Sequence, residues 1–202
     1  MMMDLYKGLA TAPQAPGKPL VFAFHGTGGN ESQFFELAQS MVPGAGVISP
    51  RGDVSEMGAA RFFKRTGEGV YDMDDLAERT DKMIRFVEGH KAEHPDSPVY
   101  GFGYSNGANI LASVAFKRPD LFDRLGLLHP LVTWDLQPTP ALENKKVLVT
   151  AGRNDPITPW PQTEKLIEWI GSQGAYLVTG IHEGGHELQP GEINSLARLF
   201  AD

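Results

Sequence analysis

From Pro19 to the C-terminus, short apolar runs take turns with stretches whose apolar residues recur every three or four positions. This alternation constrains the fold more than any other feature of the chain. A brief apolar run reads as a strand buried on both faces, and a period near 3.6 reads as a helix with one face in a core. Strands separated by helices need crossover connections, which build a mainly parallel sheet with helices on both faces. Strands are expected at 20–24, 47–48, 99–102, 125–128, 147–150 and 176–178. The first helix is expected to be capped by Asn30, with Phe34, Leu37, Ala38 and Met41 inward. The second follows Asp72 and buries Leu76, Thr80, Met83, Ile84 and Val87. Residues 106–116 are small and apolar nearly all round, which predicts a deeply buried helix. Thr158-Pro159 opens another helix, with proline at its first position. The last helix carries Ile193, Leu196, Ala197 and Phe200 at core spacing. Residues 1–18, rich in Pro, Ala and Gly, read as an irregular lead-in. Residues 51–71 lack periodicity and read as a long excursion over the sheet. The expectation is one α/β domain over 19–202, with no room for a large lid.

Composition narrows the function. The 202 residues suffice for one core, and 41% hydrophobic with 21% charged residues is ordinary for a globular domain. The net charge of −7 and the lack of any Lys/Arg run argue against nucleic acid or an anionic membrane as partner. With no cysteine, disulfides, thiolate metal sites and a thiol nucleophile are excluded. No basic segment followed by a long apolar stretch opens the chain, so a cytoplasmic location is expected.

In such sheets chemistry gathers beyond the carboxyl ends of the strands. After the strand ending at Phe102 comes Gly103-Tyr104-Ser105-Asn106-Gly107, a G-x-S-x-G pattern between strand and helix. A serine on so sharp a turn has a strained backbone, and side chains two residues to either side would collide. The helix that follows aims its positive end at the hydroxyl. The first strand ends in His25-Gly26-Thr27-Gly28-Gly29. These glycines lack both the Gly-Lys-Ser/Thr ending of a phosphate loop and the G-x-G-x-x-G spacing of a dinucleotide site. They suit an oxyanion hole made by the backbone N–H groups of Thr27 and Asn106. His25 is expected to position or pack rather than act as base.

A serine hydroxyl needs a base, and the base a carboxylate that fixes its tautomer. Asp155 follows the strand at 147–150, and His186 follows the last strand, giving the chain order Ser105, Asp155, His186. Asp135 is the rival acid and His182 the rival base. His182-Glu183-Gly184-Gly185-His186 also spells H-E-x-x-H, a zinc motif that requires both histidines on one helical face. Two interior glycines, each costing about 1 kcal/mol in a helix, and the nearby Pro190 make this segment a loop. No metal and no cofactor is expected.

On Phe24-His25-Gly26-Thr27-Gly28-Gly29, Gly103-Tyr104-Ser105-Asn106-Gly107, Gly152-Arg153-Asn154-Asp155-Pro156 and Gly185-His186, the chain resembles the carboxylesterase/phospholipase-like branch of the α/β-hydrolases, with its acyl-protein thioesterases. Ser49-Pro50-Arg51-Gly52-Asp53 and Phe62-Phe63 resemble its hydroquinone-resistance-linked subgroup. The resemblance implies a serine esterase acting on small carboxylic esters through an acyl-enzyme, with Ser105, Asp155 and His186 as triad and Thr27 and Asn106 as oxyanion donors. It implies a homodimer too, as in many members. A thioesterase or lysophospholipase using the same triad, and a ligand-binding hydrolase scaffold without catalysis, are the alternatives. His129 stands where relatives often carry a small or polar residue. The expected walls of the substrate pocket are Met57, Phe62, Phe63, Tyr71, Tyr104, Leu131, Val132 and Trp160. Arg51 and Arg61 could steer an anionic group there, but solvation at the surface is the expected role.

Overall fold

The computed structural model describes residues 5–201. In chain order the elements begin with β1 (Gly8–Ala10), β2 (Leu20–Phe24), α1 (Phe35–Met41), β3 (Gly46–Pro50), β4 (Val54–Glu56), β5 (Ala59–Arg61), β6 (Arg65–Gly67) and β7 (Val70–Tyr71). They continue with α2 (Met73–Glu93), β8 (Val99–Tyr104), α3 (Asn106–Lys117), β9 (Arg124–Leu128), β10 (Lys146–Gly152), α4 (Trp160–Ser172), β11 (Tyr176–His182) and α5 (Pro190–Ala201). A seven-stranded sheet runs β1-β3-β2-β8-β9-β10-β11. Only its first pair is antiparallel, and the other neighbours run parallel, as the strand–helix alternation requires.

The period-2 geometry of β2 divides the core. Leu20, Phe22 and Phe24 face a layer built from α2, α3 and α4, with Leu76, Met83, Leu111 and Leu166 among its members. Val21 and Ala23 face the other layer, with Ala38 of α1 and Leu196, Leu199 and Phe200 of α5. The fold is thus a helix–sheet–helix sandwich, with helices on both faces. α2 starts at Asp72, whose side chain accepts the Asp75 N–H at 3.0 Å. No helix among the described residues is long and apolar enough to cross a membrane.

Registers bring the carboxyl ends of the central strands level. Phe24 lies beside Gly103, Tyr104 beside Leu128, and Gly152 beside His182. The loops leaving β2, β8, β9, β10 and β11 therefore open on one edge.

Four expectations need correction. The lead-in is not wholly irregular: β1 pairs with β3, Leu9 opposite Ser49, although residues 1–4 lie outside the described chain. Asn30 does not cap α1, which starts after Phe34. Its side chain accepts the Ser32 N–H at 2.8 Å and closes a turn before the helix. The excursion at 51–71 is ordered into two hairpins, β4–β5 and β6–β7, whose strands are too short to show a period in sequence. Pro159 precedes α4 rather than opening it, with ψ 135° in an extended conformation.

Candidate active site

Ser105 sits at the junction of β8 and α3 with φ 53° and ψ −117°. A non-glycine residue there costs on the order of 1–3 kcal/mol, which the surroundings must hold. Its N–H donates to Leu128 O at 2.9 Å and its carbonyl accepts the Asn109 N–H at 3.0 Å. The flanking glycines are required sterically. A Cβ on Gly103 would come to 2.5 Å of the Gly107 carbonyl, and one on Gly107 would overlap the Phe24 and His25 carbonyl oxygens. The turn is thereby pressed against the end of β2. Asn106 heads α3, so its N–H has no partner within the helix.

The loop after β2 is braced by the first hairpin. The Gly28 N–H donates to Ala60 O at 3.0 Å, Arg61 Nη1 donates to Thr27 Oγ1 at 2.7 Å, and the Phe62 N–H donates to Asn106 Oδ1 at 2.7 Å. His25 is a positioning residue, as expected. Its Nδ1 lies 2.7 Å from Gly26 O, so it carries the proton, and its Nε2 accepts the Gly52 N–H at 2.9 Å. Burial holds its pKa below the ordinary imidazole value.

Opposite lies His186. His186 Nε2 is 2.9 Å from Ser105 Oγ, and its Nδ1 is 2.7 Å from Asp155 Oδ2. Asp155 also accepts the N–H groups of Ile157 at 2.8 Å and Thr158 at 3.0 Å, and the Thr158 hydroxyl at 2.7 Å. Burial works against its charge. The Thr158 hydroxyl, the His129 ring, the Thr158 N–H and the His186 ring outweigh that cost and hold its pKa well below the usual carboxylate range. The His186 loop is fixed by Tyr104, whose hydroxyl donates to His186 O at 2.7 Å. Burial, followed by the charge of Asp155, pushes the Tyr104 phenol up to about 12. The Asp155 and His186 loops meet so closely that a Cβ on Gly152 would overlap the carbonyls of Gly184 and Gly185.

The rivals lie elsewhere. Asp135 lines a separate apolar cleft of about 370 Å³ between α2 and α3. His182 ends β11, and its Nδ1 accepts the Gly184 N–H at 3.0 Å. The H-E-x-x-H segment is thus strand end and turn. Its two histidines face different groups, His186 the Ser105 hydroxyl and His182 the Glu192 carboxylate at 3.2 Å.

Beside Ser105 is a small polar cleft of about 30 Å³, lined by Thr27, Arg61, Arg65, Glu68, Tyr71, Asn106, Asn109, Leu131, Ile157 and Thr158. Of the expected walls it holds Tyr71 and Leu131. Phe62 and Phe63 are fully buried instead, Phe62 against Phe24 and Phe63 against Tyr71. Val132 belongs to the core. Met57 stands 101% exposed at the tip of the β4–β5 hairpin with φ 48°. Trp160 lies outside the cleft, under the Arg153 guanidinium at 4.3 Å. Arg61 is not a solvated surface residue: it is 3% exposed. Arg51 is partly solvated, paired with Glu31 at 2.5 Å.

Sequence reasoning favoured a surface role for Arg61, missed Arg65, Glu68, Asn109, Ile157 and Thr158 as lining residues, and missed Glu192 altogether. His129 carried a signal that went unused, because it follows β9 where neighbouring loops carry Ser105 and Asp155. The carboxyl-end rule that finds those two finds His129 as well.

No family model matches the chain. The chain is 35% identical over 185 residues to the hydrolase MhqD of Bacillus subtilis, covering 91% of this chain and 92% of that one. It is 33% identical to a solved carboxylesterase of Bacillus cereus, with a TM-score of 0.87 over 97% of this chain and 93% of that one. A solved Agrobacterium tumefaciens protein of unknown function is 45% identical, with a TM-score of 0.91 over 100% of this chain and 98% of that one. Fold, register and likeness to these proteins agree: the chain belongs to the carboxylesterase-like branch of the α/β-hydrolases.

Proposed function

We propose that the protein is a serine esterase that hydrolyses small carboxylic esters through an acyl-enzyme. What carries this reading is the unbroken path from the Ser105 hydroxyl, 2.9 Å to His186 and 2.7 Å on to Asp155, at the end of a strained turn. Family membership and the names of MhqD and the Bacillus cereus carboxylesterase support the same chemistry.

In the first half-reaction the Ser105 oxygen attacks the ester carbonyl carbon as His186 Nε2 takes its proton. The carbonyl π pair moves to oxygen, where the N–H groups of Thr27 and Asn106 receive it. Each such donor is worth about 10²–10³-fold in kcat. Asp155 holds the Nδ1–H tautomer and balances the imidazolium. When the tetrahedral adduct collapses, the bond to the leaving oxygen breaks and His186 returns the proton to that alcohol. Water then repeats the cycle on the acyl-Ser105 ester, freeing the acid and restoring the hydroxyl. The cleft beside Ser105, about 30 Å³ and lined largely by polar groups, speaks against a long acyl chain.

The test is turnover of a short p-nitrophenyl ester by Ser105→Ala. The expected loss is about 10⁴-fold or more, with an unchanged circular dichroism spectrum. Full activity in the folded variant contradicts the reading. Oxygen and sulfur esters of one acyl chain, compared by kcat/KM, separate esterase from thioesterase.

A further inference from the structure

Behind Asp155, on the side away from His186, lies a second set of ionisable groups that the triad chemistry leaves unused. His129 leaves β9 with φ 50°, in the left-handed region, and its side chain is 0% exposed. Its Nδ1 lies 2.9 Å from Asp155 Oδ2, the oxygen that also faces His186. Its Nε2 lies 2.9 Å from Glu192 Oε1. Glu192 belongs to the first turn of α5 and is 3% exposed. Its Oε2 accepts the Gln189 N–H at 2.6 Å and lies 3.2 Å from His182 Nε2.

Proton positions follow from the partners. Asp155 accepts from so many donors that it is ionised, so His129 Nδ1 carries a proton. Glu192 is likewise surrounded by donors. One proton remains to be placed between His129 Nε2 and Glu192 Oε1. Imidazole is more basic than a carboxylate by about 2 pK units, so the proton belongs to the ring. Neither atom makes a hydrogen bond in this geometry, so what joins them is their closeness, 2.9 Å, in a site shielded from water. His182 accepts the Gly184 N–H at Nδ1, so its own proton sits on Nε2, 3.2 Å from Glu192 Oε2. It has no lone pair to offer there, so these three groups are not arranged as a metal site.

We propose that His129 is a positioning residue for hydrolysis, a protonated ring clamped between Asp155 and Glu192 that holds Asp155 in line with His186 and tempers its charge. Burial opposes this cation, while Glu192 and then Asp155 outweigh burial and hold its pKa above the ordinary imidazole value. The groups facing the ring are Asp155 from the loop after β10, Glu192 from α5, His182 from β11, His186 from the loop before α5, and Tyr104 from β8. The last three rings lie at 5.5, 5.2 and 5.9 Å. A positive charge 5.2 Å from the His186 ring disfavours the imidazolium that His186 becomes when it takes the Ser105 proton.

Glu192 has a structural role too, since its Oε2 caps the start of α5. Glutamine at that position keeps a capping oxygen and removes the charge, so Glu192→Gln separates the two roles. The kinetic arm rests on the esterase reading, which Ser105→Ala tests on its own, whereas ring protonation is read by nitrogen-15 NMR without turnover. In the unaltered protein at pH 8, both ring nitrogens of His129 are expected to carry protons, with His129→Gln assigning the signals. In Glu192→Gln the Nε2 proton is expected to be lost at pH 8. The kcat/KM profile against pH is then expected to change, because a charge 5.2 Å from the His186 ring is lost. A bare Nε2 in the unaltered protein at pH 8 overturns the proposal. So does a Glu192→Gln variant whose ring protonation and pH profile are both unmoved. If His129→Gln fails to fold, the two remaining proteins still decide between these results.

Discussion

The two sides of the cleft at Ser105 are built in opposite ways. On the base side, groups from β8, β11 and α5 and from the loops after β9 and β10 converge on His186, Asp155, His129 and Glu192 through contacts of 2.6–3.2 Å, nearly all shielded from solvent. On the other side, two hairpins with strands of two or three residues carry Arg61, Arg65 and Tyr71. Their tips are open, with Met57 and Val70 exposed. Proton transfer tolerates little displacement of its partners, so the base side is tied from many directions. The hairpin side supplies shape to the cleft and braces the loop after β2, where Ala60 and Arg61 hold Gly28 and Thr27 and the Phe62 N–H holds Asn106.

This contrast can be broken by substitution on each side. Asp155→Asn should have the largest effect, lowering kcat by about 10⁴-fold because the amide favours the wrong imidazole tautomer. Steady-state kinetics on a short activated ester checks it, and a loss confined to KM would remove Asp155 from its assigned role. Arg61→Met severs a charge-assisted hydrogen bond to Thr27 worth about 1.5–3 kcal/mol. A loss of about 10–100-fold in kcat/KM is expected, and an unaltered value would mean that the hairpin does not brace the oxyanion loop. Tyr71→Phe removes a hydroxyl that donates to Leu131 O at 2.9 Å and accepts from Asn109 at 3.0 Å. It should cost about 1 kcal/mol of stability and shift KM by a few-fold with kcat retained, as chemical melts and kinetics would report. Met57→Ala should change neither melting temperature nor kcat/KM beyond about 0.5 kcal/mol, because the side chain touches solvent alone.

The same contrast governs what the sequence makes legible. The nucleophile turn is readable because steric demand writes itself into composition: Gly103 and Gly107 have no substitute where backbone meets backbone. Asp155 and His186 are readable from chain order and from their place after strands, and the parallel sheet from the alternation that encodes it. The hairpins are not, since strands as short as β7 show no period and their partners lie in the next few residues. Phe62 and Phe63 look like pocket walls in sequence. They are core, because the folded-back excursion packs them onto Phe24 and Tyr71. Glu192 looks like an ordinary first-turn acid of a helix. Its contact with His129 joins positions far apart in sequence, and no local pattern carries such a pairing.

The central claim is that Ser105 is a nucleophile activated by His186. Its most direct test is mass spectrometry of the protein after exposure to a fluorophosphonate. The expected result is a single adduct mapped to Ser105, absent in Ser105→Ala and formed far more slowly in Asp155→Asn. An unlabelled Ser105 in protein that still turns over esters would contradict it.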